Sequence, residues 1–207
     1  MTVVQWASHF ATGFTEHHIM ADSMYFNNQF LIAMPSLADP QFARTVTYVC
    51  SHDANGALGI VINRPSDLTL QDLLSHLHMP PLTSPALAQQ PVFMGGPVQM
   101  QQGFVLHTPI GDWEATLPLT EELGLTTSSD ILRHFGKVTQ PSRVLVALGY
   151  AGWGAGQLER EMLDNAWLSG PADLGVLFNT PINERWSAAA GLLGIDPRLL
   201  SSEMGHA

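Results

Sequence analysis

Apolar and polar positions along the chain follow two rhythms. Phe30-Leu31-Ile32-Ala33-Met34 is the first convincing strand, and Thr45-Val46-Thr47-Tyr48-Val49-Cys50 is β-branched and aromatic, as strands favour. Residues 58–62 form a continuous apolar run between glycines and a polar turn, which predicts a strand buried on both faces. Leu70, Leu73, Leu74 and Leu77 then repeat at helical spacing. Residues 80–91 carry Pro80, Pro81, Pro85 and Pro91 and predict an irregular loop. A strand over 103–108 follows the turn Gly95-Gly96-Pro97. Ser128 or Ser129 is placed to cap a helix running to Lys137, with Asp130 in its first turn complementing the helix dipole. Residues 143–148 predict the most emphatic buried strand, 157–167 a helix, 174–178 a last strand and 183–193 a closing amphipathic helix. The alternation predicts a mixed α/β domain whose strands are covered by helices and whose early strands pair antiparallel.

Composition sharpens this picture. A chain of 207 residues that is 45% hydrophobic and 13% charged has material for one large core and little solvated surface. Residues 1–23 stand apart. Trp6, His9, Phe10, Phe14, His17 and His18 follow no sustained period there, so this stretch reads as an extension and 24–207 as the domain. No apolar run approaches the roughly 20 residues needed to cross a membrane, and no basic leader opens the chain. A cytoplasmic location is therefore expected.

Charge argues against one function class. Eighteen acids against eight bases give a net charge of −10, and Lys137 is the only lysine. The arginines are scattered singly, whereas autonomous nucleic-acid binding needs several phosphates neutralised together. A protein partner or a small molecule suits this surface better.

The loudest motif is Gly149-Tyr150-Ala151-Gly152-Trp153-Gly154-Ala155-Gly156-Gln157, which follows a strand and precedes a helix. That order predicts a glycine-rich loop of the kind that cradles phosphate at a helix N-terminus. Gln157 replaces the third glycine of the dinucleotide fingerprint, and Glu159 and Glu161 would repel phosphate, so close packing is the favoured role. Glu159, Glu161 and Asn165 also offer a polar helix face able to hold a proton or a cation. Cys50 is the only cysteine, which excludes an internal disulfide; with His52 two residues on it is the redox candidate, although its place at the end of a buried strand favours a structural thiol. His52, His76, His78, His107 and His134 lack metal-binding spacing, so neither metal nor cofactor is implied. Asn63 and Arg64 leave a core strand and either bind an anionic group or stitch loop backbone together.

Several of these segments occur in order in one known family. Phe30-Leu31-Ile32-Ala33-Met34-Pro35, Gly56-Ala57-Leu58-Gly59-Ile60-Val61-Ile62-Asn63-Arg64-Pro65, Gly95-Gly96-Pro97-Val98, Gly103-Phe104-Val105-Leu106-His107 and the run from Leu148 to Glu159 resemble the AlgH/YqgE family of bacterial proteins. The resemblance spans roughly 28–207. It implies a mixed α/β fold around a strongly curved sheet. It implies much less about activity: the family is largely uncharacterised, with a member linked to control of alginate production and sometimes labelled a transcriptional regulator. It carries no catalytic residues across. The sequence favours a non-enzymatic binding protein over a small-molecule or nucleotide-binding enzyme using the glycine segment, or a redox-responsive protein using Cys50. Its candidate surface comprises Asn63, Arg64, Gly95, Gly96, His107, Gly152, Trp153, Gly154, Gln157 and Glu159. Ligand, partner and oligomeric state stay open.

Overall fold

A computed structural model describes residues 25–37, 39–137 and 141–196; the proposed extension over 1–23 lies outside them. The described strands are β1 (Gln29–Ala33), β2 (Val46–Asp53), β3 (Gly56–Val61), β4 (Pro65–Thr69), β5 (Pro91–Met94), β6 (Val98–Thr108), β7 (Thr116–Pro118), β8 (Gly124–Thr126), β9 (Arg143–Gly154) and β10 (Trp167–Pro171). They join in one strongly curled sheet, a half-barrel, in the order β10-β1-β2-β3-β9-β6-β8-β7, with β5 on β9 and β4 on β5. Every pairing is antiparallel except β5 with β9. The short helices are α1 (Leu70–His76), α2 (Pro85–Ala88), α3 (Gln157–Leu163), α4 (Leu174–Phe178) and α5 (Arg185–Leu192).

Both faces of the sheet are buried, as the apolar run in β3 anticipated. Phe30 and Ile32 of β1, Tyr48 of β2, Ile60 of β3, Phe104 and Leu106 of β6, and Leu145 and Ala147 of β9 share one cluster with Val176, Leu177 and Trp186 from α4 and α5. The intervening positions point the other way. Leu31, Val49 and Ala57 join Trp153, Leu158 and Trp167, while Val105 and Val146 join α1 and Ile131. Period-two alternation thus builds one core on one face and two smaller ones on the other.

Some elements differ from the expectations, each for a local reason. Residues 80–91 hold α2, because Ser84 accepts the Leu87 N–H and Pro85 takes the first helical position, where its missing N–H is harmless. The expected helix to Lys137 is only a 3-10 turn, Ile131–His134. Asp130 does not cap it: its carboxylate takes the Ser128 hydroxyl at 2.5 Å and the Glu114 N–H at 3.0 Å instead. Residues 174–178 are a helix and not a strand, since Asp173 accepts the Val176 N–H at 2.8 Å and caps it. The helix from Gln157 stops at Leu163. Asn165 at φ 55° turns the chain, and Trp167 opens β10.

The main correction concerns the glycine-rich segment. Gly149, Gly152 and Gly154 do not form a loop; they belong to β9, which runs twelve residues to Gly154. Its N-terminal part lies between β5 and β6, and its C-terminal part pairs with β3. At Gly149, with φ 71°, the facing pattern changes phase: Leu145 and Ala147 face the shared core, and after it Tyr150 does. A strand that changes partners must kink, and a residue without Cβ does so at least cost.

Arg185 closes the shared core from α5. It is 6% exposed, donates from Nε to the Thr180 carbonyl at 3.1 Å and from Nη1 to the Ile62 carbonyl, and lies 5.2 Å from the Phe93 ring centre. Burial pushes its guanidinium pKa down to about 10, still charged at neutral pH.

Candidate functional site

The C-terminal end of β9, α3 and the start of β10 assemble the richest polar constellation. Glu161 Oε2 accepts the indole N–H of Trp153 and that of Trp167, each at 2.8 Å. Its Oε1 accepts Gln157 Nε2–H at 2.8 Å, and Gln157 Oε1 accepts the Gly154 N–H at 3.0 Å. Phe42 closes the aromatic wall, with ring centres 5.6 Å from Trp167 and 6.4 Å from Trp153. Both tryptophans are buried, so the carboxylate satisfies two donors that water cannot reach. The candidates Gly152, Trp153, Gly154 and Gln157 therefore sit together. Gly152 and Gly154 are exposed, while Trp153 and Gln157 are committed to a network whose hub is Glu161.

Glu159, two residues before Glu161 and on another side of α3, faces His52. The two approach to 3.2 Å between Glu159 Oε1 and His52 Nε2, with the histidine side chain fully buried. His52 Nδ1 accepts the Phe26 N–H at 3.0 Å, which assigns the proton of a neutral ring to Nε2; Nε2 lies near the carboxylate but makes no hydrogen bond among the described residues. Phe26 stacks on the same ring at 5.5 Å and Tyr25 meets its edge at 5.1 Å. A register shift between Val49 and Ser51 separates this histidine from the cysteine it follows. Cys50 joins Tyr48 in the shared core, whereas His52 meets Phe26 and Glu159.

Cys50 is 7% exposed, and burial pushes its thiol far above the ordinary range. Thiolate is the reactive form, so iodoacetamide is expected to leave native Cys50 unlabelled at neutral pH and to label it once the chain is unfolded in urea. Rapid labelling of the folded protein would show that the thiol is reachable.

Asn63 and Arg64 form the turn between β3 and β4. Asn63 accepts the Val46 N–H at 2.8 Å and donates to the Arg44 carbonyl at 2.9 Å, while Arg64 Nη2 donates to the carbonyls of Pro40 and Ala43, both at 2.9 Å. These bonds tie residues 40–46 to the sheet. Gly95 joins the same corner, donating to the Leu148 carbonyl and accepting the Val61 N–H, and the Met94 N–H reaches the Arg64 carbonyl. Gly96 follows against the backbone of Tyr150.

His107 stands elsewhere. It is fully buried, its Nε2 lies 2.9 Å from Thr126 Oγ1 and its Nδ1 3.1 Å from the Pro109 carbonyl, and Trp113 meets it edge-on at 4.7 Å. Burial lowers its pKa from the ordinary 6.5. A folded pKa below the unfolded one means that stability is complete above pH 6.5 and falls as pH drops below it. Urea midpoints at pH 7.5 and 5.5 should differ less for His107→Gln than for the wild type; an equal difference would remove His107 from the acid response. Among the described residues no group of three or more His, Cys, Asp or Glu is arranged to hold a metal ion.

Comparison with known proteins places the chain in a family. The family model described as AlgH-like matches residues 30–198. The chain belongs to the AlgH-like family. A UPF0301 protein of Thioalkalivibrio sulfidiphilus is 54% identical over 188 residues, covering 91% of this chain and 100% of that protein. One from Nitrosococcus oceani is 52% identical over the same coverage. The solution structure of the AlgH protein from Pseudomonas aeruginosa matches with a TM-score of 0.73 at 46% identity, over 93% of this chain and 100% of that one. A crystal structure of protein DIP2367 from Corynebacterium diphtheriae, TM-score 0.66 at 21% identity over 84% and 91%, shares the fold alone.

Within this AlgH-like chain, sequence reasoning singled out Trp153, Gln157 and Glu159 but not the hub role of Glu161 or the pairing of Glu159 with His52. The only available signal was that Glu161 lies four residues, one helical turn, after Gln157. Which indoles reach its carboxylate depends on how α3 packs across β9 and β10, and the linear pattern does not encode that. No helix among the described residues is long and apolar enough to cross a membrane.

Proposed function

We propose that this AlgH-like chain is a cytoplasmic, non-enzymatic regulatory protein that acts by binding a protein partner or a small ligand. One observation carries the reading: the polar side chains that invited catalytic roles are engaged in holding the fold. Glu161 and Gln157 close the tryptophan network, Asn63 and Arg64 tie down a loop, His107 sits between a carbonyl and a threonine, and Cys50 is buried. A nucleophile needs a base within reach and an orienting third group. Cys50 and His52 lie on different faces, and β9 runs as a strand where a phosphate cradle requires a loop.

The net charge of −10 supports a basic protein surface over a nucleic acid as the macromolecular partner. The test is affinity capture at physiological salt, followed by reconstitution of the complex from purified components, alongside a thermal-shift screen of small ligands. Saturable binding of a captured partner or an unconsumed ligand is expected, with no electrophoretic shift of duplex DNA. A ligand that binds and is turned over would overthrow the reading.

A further inference from the structure

A cavity of about 150 Å³ opens beside the start of β9, lined among others by Ser84, Gln90, Ser142, Arg143 and Phe178. Among the described residues, none that lines it is acidic, in a chain with 18 acids and 8 bases. Arg143 supplies the charge. Its guanidinium carbon lies 5.4 Å from the Phe178 ring centre, and among the described residues no carboxylate lies within ion-pair distance of it. The ring attracts the guanidinium cation, and among the described residues no hydrogen bond occupies its N–H donors. Those donors match the planar oxygens of a carboxylate or the oxygens of a phosphate.

The neighbouring polar groups point to the same chemistry. Ser84 Oγ accepts the Leu87 N–H, so its own hydroxyl proton remains to donate. The Gln90 side chain is exposed and makes no hydrogen bond among the described residues. Ser142, by contrast, spends its hydroxyl proton on the Thr108 carbonyl at 2.8 Å. Space is sufficient, since about 10–15 Å³ admits one water.

We propose that this cavity is an anion site, anchored by Arg143, for the carboxylate or phosphate group of a small metabolite. The site goes beyond the binding-protein reading, and its failure would leave the partner-capture experiment unaffected. Inorganic phosphate and succinate are titrated separately into the full chain at constant ionic strength, following the Arg143 Nε–H, the Gln90 side-chain amide and the Ser142 amide by NMR. Saturable shifts confined to these groups are expected, and the anion that saturates at lower concentration names the source. In Arg143→Gln the binding should weaken at least about tenfold, because the charge-assisted bonds are lost. If that variant does not fold, Gln90→Glu decides by the same criterion, since it sets a negative charge in the cavity at an exposed position. Absence of saturation with either anion, or saturation unchanged in the deciding variant, overturns the proposal.

Discussion

Glu161→Ala is expected to lose about 2–5 kcal/mol of folding stability, because it strands the Trp153 and Trp167 indole N–H groups in a buried wall. Each orphaned donor forfeits a charge-assisted bond and has no water to replace it. The same change frees Gln157, which ties the first turn of α3 to Gly154. For a chain of this size the loss corresponds to a fall in melting temperature of roughly 4–20 °C. Glu161→Gln keeps one acceptor oxygen for the indoles and should fall between wild type and Glu161→Ala. Thermal unfolding followed by tryptophan fluorescence reads both. A Glu161→Ala midpoint within about 0.5 kcal/mol of wild type, the range of ordinary surface changes, would show that the carboxylate is not the hub.

Gly96→Ala is expected to be the most damaging single-methyl change, at more than about 4 kcal/mol or outright loss of folded protein. A Cβ at Gly96 would stand 2.1 Å from the Tyr150 carbonyl carbon and 2.2 Å from the Ala151 nitrogen, and its φ of 154° is one that side chains rarely adopt. Both neighbours are backbone of the central strand β9, so nothing flexible can yield. Gly149→Ala should behave similarly, since its Cβ would lie 2.4 Å from the Gly96 carbonyl oxygen. The control is Gly103→Ala, whose added methyl meets no atom within 4 Å and should change stability by no more than about 1 kcal/mol. Soluble yield and circular dichroism separate these cases. Folded Gly96→Ala at wild-type stability would mean that β9 and the Gly95–Gly96 turn can separate to admit a methyl group.

Much of this was legible in the residues. The strands at 30–34, 45–50, 58–62, 103–108 and 143–148 and the helix from Leu70 follow their apolar periods, and antiparallel pairing of the early strands agreed with the structure. The errors cluster where one side chain decides. Asp173 folds the apolar run Leu174–Phe178 into a helix by capping it, and Asp130 leaves its own segment as a 3-10 turn by bonding backward to Ser128 and across to Glu114. A short apolar run fits helix and strand alike, so the cap settles it.

The glycine-rich segment marks the boundary between what the chain encodes locally and what the fold decides. Composition and spacing alone determined that these glycines answer a demand of the backbone and that one thiol precludes an internal disulfide. Tertiary structure decided what the demand is. Period and composition describe one strand at a time, whereas the need for bare Cα atoms at Gly95, Gly96 and Gly149 arises from another strand lying against them. The same holds for Glu161, whose two indole partners come from β9 and β10. A residue's chemistry is local, but its partners are chosen by packing, and packing belongs to the whole sheet.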